Sequence, residues 1–242
     1  MKLLTTLSFF ALIAANAAAE PAIRSGDRIA IVGNTFADQL RIHGYLETLL
    51  LQHSDVSVRN FGWAGDILTA RDRPTGFPTE ESTLTDHRTD VIIACFGMSE
   101  SFSGAAGIDD FKADLKAFIE FHQGKKYNGK TAVRLVLVSP IAYENLGELT
   151  PALEKRNEEL RTYTRAMAGV AETEGIPFVD LFEPSRYLMN ESKGQSLTTN
   201  GITLNAFGYW ALSETFFEQL TDQSNEVWRL EIDGTSLDES ST

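Results

Sequence analysis

The sequence predicts an α/β fold in which a parallel sheet is covered by helices on both faces. Two observations carry this. Five short runs, RIAIVG (28–33), VSVRNF (56–61), DVIIACFG (90–97), VRLVLVSP (133–140) and PFVDLF (177–182), read as buried strands bounded by turn residues. Segments of helical period lie between most of them, at about 36–52, 108–123, 151–174 and 206–220.

Taken in chain order, the first 19 residues place one basic residue, Lys2, before an apolar run of about ten residues and a stretch of alanines, the pattern of a cleaved export signal. That run is shorter than the ~20 residues of a membrane span, and no later segment comes close. The expected mature protein is exported, periplasmic or secreted, and its domain runs from residue 20 to 222. The 223 residues left after cleavage suffice for one large α/β domain. Net charge is −13, and −14 once Lys2 leaves, which argues against nucleic acid or an anionic membrane surface as partner.

The first strand runs into Gly33, followed by Asn34, Thr35 and a helix pattern. Asn34 or Thr35 can cap that helix by accepting from its free N–H groups, and Thr35 with Asp38 resembles a capping box. The second strand opens onto a long connection without clear period, 62–86. The third contains Cys95, the single cysteine, so no intrachain disulfide forms; its apolar setting marks it as core. In the helix that follows, Ile108, Phe111, Leu115, Phe118 and Ile119 make one apolar stripe that faces the core. A second long connection, 183–204, follows the last strand. Both connections leave a strand's carboxyl end, where open α/β sheets bind ligands. Beyond residue 222 the chain reads as an acidic polar tail, with VWRLEI able to add an edge strand.

These pieces, in this order, resemble the SGNH or GDSL hydrolase family, which cleaves esters on a flavodoxin-like three-layer α/β/α sandwich. The resemblance spans about residues 27–220. The family's Gly-Asp-Ser block, whose serine is the nucleophile, is held here by Gly33, Asn34 and Thr35. The glycine whose N–H helps form the oxyanion hole corresponds to Gly65 in NFGWAGD. In FGMSES, Gly97 is kept, and Ser99 stands where the family's second oxyanion donor, asparagine, belongs. The closing Asp-x-x-His block reads NGITLN, with Asn200 and Thr203 at the acid and base positions. A divergent branch of the family reads Gly-Asn-Thr first and Asn-Gly-Ile-His-Leu-Asn last, and this chain resembles it with the histidine also replaced. The resemblance implies hydrolysis of acyl or acetyl esters, on carbohydrate or another small molecule, and no cofactor or metal.

The substitutions matter physically. A hydroxyl attacks efficiently only when a neighbouring base takes its proton, and neither asparagine nor threonine can do so near neutral pH. The coarse map places His53, His87 and His122 at the wrong edge of the sheet. It also puts His43 ~12 Å from Thr35 along one helix at 1.5 Å per residue. A carboxylate is the remaining candidate base: Asp66, Glu100 and Glu144 each follow a strand's carboxyl end. Trp63, Phe102 and Tyr143 on the same rim are candidate sugar-stacking aromatics or hydrophobic plugs. Arg71 and Arg73 in ARDRP are candidate contacts to an anion or partners of nearby acids. Two functions stay open: an ester hydrolase with a nonstandard base, or a binding module that has lost catalysis.

Overall fold

A computed structural model describes residues 21–192, 194–223, 229–232 and 237–240. The signal expected over 1–19 lies outside the described residues. The main sheet has five parallel strands, β1 (Arg28–Gly33), β2 (Ser57–Asn60), β3 (Val91–Cys95), β4 (Arg134–Val138) and β5 (Phe178–Val179), in the order β2-β1-β3-β4-β5. This is the flavodoxin-like doubly wound order, and the chain reverses direction across the sheet between β1 and β3.

Alternation along the central strands divides the core. Ile29, Ile31, Val91, Ile93, Val136 and Val138 face one layer, built from α1 (Thr35–Leu40), α2 (Tyr45–His53) and α7 (Ala206–Thr221). Ala30, Val32, Ile92, Ala94, Leu135 and Leu137 face the other, built from α3 (Glu80–His87), α4 (Ile108–His122) and α5 (Leu153–Glu174). The stripe predicted on α4 meets this second layer through Phe111, Leu115, Phe118 and Ile119. The three-layer sandwich follows from burying two hydrophobic sheet faces at once.

Several boundaries differ from expectation. The helix expected over 36–52 is two helices, interrupted at Arg41–Gly44, where glycine has low helix propensity and serves as the cap of α2. The connection 62–86 contains most of α3, capped by Thr79, whose side chain accepts from Ser82 N–H at 3.2 Å. The connection 183–204 contains most of α6 (Phe182–Glu191). The run after the third strand continues into a 3-10 stretch, Glu100–Gly107. At the chain end, where a polar tail was expected, β6 (Arg229–Ile232) and β7 (Leu237–Ser240) pair antiparallel in a separate sheet. Within VWRLEI, the described residues Arg229–Ile232 therefore add no edge to the main sheet.

Candidate active site

The carboxyl ends of β1 and β3, at the reversal point, open onto a cavity of about 90 Å³. Gly33 makes this junction possible. Its φ is 131°, and a Cβ there would stand 2.2 Å from the Cys95 carbonyl oxygen, so no other residue fits without moving β3. The cavity brings together Asn34 and Thr35 after β1, Ser99 and Phe102 after β3, and Thr203 before α7, with Met98, Ile141 and Ile202 as apolar walls.

Asn34 is the cap of α1: its Oδ1 accepts from Phe36 N–H at 3.0 Å. Thr35 is thus the first helical residue and does not cap. The capping box does not form either, because Asp38 turns to Arg41 Nε at 2.9 Å and Gln39 Nε2 at 3.0 Å. Among the described residues, the hydroxyls of Thr35, Ser99 and Thr203 carry no hydrogen bond from or to protein.

The other two family positions lie outside the cavity lining. Asn200 organises its own turn, its Oδ1 accepting from Ile202 N–H at 3.1 Å and Thr203 N–H at 2.8 Å. Gly65 is exposed, with φ 93°, and takes no part in the lining.

No imidazole reaches Thr35. The break between α1 and α2 puts His43 on a turn, where its ring stacks on Tyr209 at 4.8 Å. His53 packs against Phe217 at 4.9 Å. His87 Nε2–H donates to the Ile29 carbonyl at 3.2 Å, and burial holds its imidazole below the usual histidine range. His122 is fully buried between Tyr127 and Glu80. These are all four histidines of the chain.

The three candidate acids do not converge on Thr35; each is occupied by a different loop. Asp66, 6% exposed, makes a two-pronged pair with Arg73 at 2.8 and 2.7 Å. Glu100 accepts from Gly97 N–H at 2.9 Å and Leu68 N–H at 3.0 Å. Glu144, 4% exposed, accepts from Leu197 N–H at 2.8 Å, Thr198 N–H at 2.7 Å and the Thr198 hydroxyl. The rim aromatics also separate. Phe102 lines the cavity; Tyr143 packs its ring against Gly201, which leaves no room there for a Cβ; Trp63 belongs to a second cleft. Arg71 and Arg73 pair with acids: Arg71 Nε donates to Glu80 at 3.0 Å. Burial pushes the Glu80 carboxyl up, but the contacts from His122 and Arg71 together outweigh it and leave the group below its usual range.

One organising residue gave no sequence signal. Arg156 on α5 is 7% exposed and reaches the loop that carries Ser99. It donates to the Ser101 carbonyl at 3.0 Å, the Met98 carbonyl at 3.2 Å and the Ser101 hydroxyl, and its guanidinium lies 3.7 Å from the Phe102 ring centre. An arginine in a polar helix reads as solvated, and only the fold reveals its partners.

The structure is similar to a catalytic mutant of Axe2, an acetylxylan esterase from Geobacillus stearothermophilus. The TM-score is 0.62 at 16% identity, covering 82% of this chain and 96% of that one. LAE5, an α/β hydrolase enzyme from the metagenome of Lake Arreo, Spain, aligns with TM-score 0.58 at 15% identity, over 83% and 97% of the two chains. At such identities the likeness is one of fold. No curated protein sequence matches this chain. The model of the GDSL-like lipase/acylhydrolase family matches residues 26–211, most of the sequence, and the chain belongs to that family.

Proposed function

We propose that this chain is an exported, ligand-binding member of the esterase family, which holds a small neutral acyl group beside Thr35 and turns it over slowly or not at all. The observation that carries this is the isolation of the Thr35 hydroxyl: every histidine, and each of the three acids nearest in sequence pattern, has a structural partner elsewhere. Removing members of such a triad commonly costs ~10⁴ to 10⁶ in turnover. Arg and Lys are absent from the cavity lining, so a carboxylate would be desolvated there without a counter-charge. Three free hydroxyls can instead satisfy a carbonyl and an ester oxygen. Its volume of about 90 Å³ suits a group of a few heavy atoms, such as acetyl.

Carbohydrate is the favoured carrier of that acyl group, because the acetylxylan esterase fold neighbours act on acetylated sugar chains. Export rests on the Lys2-plus-apolar pattern of residues 1–19. The test is hydrolysis of p-nitrophenyl acetate by purified protein and by Thr35→Ala across neutral pH. Equal rates are expected. A saturable rate in the parent that Thr35→Ala abolishes would make the protein a working hydrolase and overturn the reading.

A further inference from the structure

A second and larger cleft, of about 400 Å³, lies between α1 and the connection that follows β2. It shares no lining residue with the Thr35 cavity. Asp38 and Arg41 form its α1 side, while Trp63, Arg73, Phe77 and Glu80 form the other. The volume falls in the range of small-molecule sites, roughly 300–1,000 Å³. We infer that this cleft is a binding site for an uncharged saccharide, recognised on the Trp63–Phe77 wall independently of the Thr35 cavity. The inference deepens the carbohydrate part of the proposed function and asks nothing of Thr35.

The wall is fixed before any ligand arrives. Trp63 N–H donates to the Gly33 carbonyl at 2.9 Å. Gly62 is pressed so closely on α1 that a Cβ would lie 2.6 Å from the Asp38 nitrogen. The Arg73 guanidinium sits 4.8 Å from the Trp63 ring centre and is itself held by buried Asp66. Phe77 meets Trp63 edge to face at 5.8 Å. Yet Trp63 and Phe77 remain 43% and 54% exposed. The ion pairs alone would close the loop, so they leave the exposure of two large rings unexplained. A preorganised, water-facing aromatic wall offers apolar area without an ordering cost.

The charges select the class of ligand. Arg41 pairs with Asp38 at 2.9 Å, Arg71 with Glu80 at 3.0 Å and Arg73 with Asp66 at 2.7 Å. Each guanidinium already has its carboxylate, so an anion would have to displace one, and a cation likewise a guanidinium. A purely apolar ligand would strip water from these groups and return no hydrogen bonds. Hydroxyls can donate to the carboxylates and accept from the guanidinium N–H groups left over, while a ring's C–H face lies on the indole.

Calorimetric titration with neutral xylo-, manno- and cello-oligosaccharides, and with an oligogalacturonate as the charged comparison, tests the inference. At least one neutral oligosaccharide is expected to bind, more tightly than oligogalacturonate. Trp63→Ala should weaken it tenfold or more, Phe77→Ala several-fold, and Thr35→Ala not at all. Phe77, being exposed, keeps the test valid if Trp63→Ala fails to fold. No heat from any neutral oligosaccharide at millimolar concentration, tighter binding of oligogalacturonate, or binding lost in Thr35→Ala but kept in Phe77→Ala would each overturn the cleft assignment. The p-nitrophenyl acetate assay reports on the Thr35 cavity alone, so the two readings fail separately.

Discussion

The Thr35 cavity and the Trp63 cleft meet the same short helix, α1, and differ in how their polar groups are used. In the cavity three hydroxyls are unengaged and the lining carries no Asp, Glu, Lys or Arg. In the cleft every lining guanidinium has a carboxylate partner, and those of Arg71 and Arg73 also pack on an aromatic ring. What distinguishes the two is the chemistry each can support. In the function proposed above, the unengaged hydroxyls beside the reversal point are a reacting centre without its proton acceptor, and the paired charges around aromatic rings are a surface for recognition. Both sites stand on the same junction, where Gly33 and the β1–β3 pairing keep the close approach that the fold requires.

The sharpest way to break this comparison is to return the missing groups to the cavity. Ser99→Asn, Asn200→Asp and Thr203→His together should raise p-nitrophenyl acetate hydrolysis by about 100-fold or more. An oxyanion donor alone is commonly worth ~10² to 10³ and a triad far more, although the branched Cβ of Thr35 crowds the attacking oxygen. The exchange at 200 is gentle, because aspartate can accept the same Ile202 and Thr203 N–H groups that Asn200 now holds. Adding Thr35→Ala should erase the gain. A folded triple variant that gains nothing would mean that these positions do not face one another as they do in active relatives.

Legibility in the sequence followed how local each signal is. The central strands are buried on both faces, so their hydrophobicity is continuous and visible, and α4 shows its stripe because one face alone packs. By contrast α3 buries only Leu84 and His87 and has no readable period, while α6 carries Pro184 in its first turn and its apolar face, Phe182, Leu188 and Met189, lies on a helix of only ten residues. The cavity positions Thr35, Ser99 and Thr203 could be placed at one edge because they follow or precede elements of known direction. The destinations of the acids could not. Glu144 reaches Leu197 and Thr198, more than fifty residues on, and Glu100 reaches back to Leu68, contacts that exist only once the loops are folded over the sheet.

Glu144 sharpens the comparison at the next level of effect. If its carboxylate is committed to structure, Glu144→Ala should cost about 3 kcal/mol in denaturant unfolding, since three buried donors lose their acceptor and unsatisfied donors cost ~1–3 kcal/mol each before relaxation. A loss below about 1 kcal/mol would mean that the carboxylate is only loosely held and free to act as a base, which would return chemistry to the cavity side.

The smallest effect concerns the cleft side, where His87 meets Phe61, a lining residue of the cleft, edge-on at 5.9 Å. Burial, reinforced by Arg59 and Arg28 and opposed by the Ile29 carbonyl and Asp90, keeps the folded imidazole's affinity for a proton below that of the unfolded chain. Between the unfolded value near 6.5 and the lower folded one, the unfolded state therefore binds more protons. Stability is fully present above pH ~6.5 and is lost as the pH falls through that window, with a slope of at most ~1.4 kcal/mol per pH unit from this one group. Glu80, held below the usual carboxylate range, loses its contribution only at lower pH, beneath ~4.5, so the two are separable. His87→Gln, whose amide can still donate toward Ile29, should flatten the dependence of unfolding free energy on pH between 7 and 5. An unchanged slope would show that the proton uptake arises elsewhere and would detach the cleft wall from this histidine.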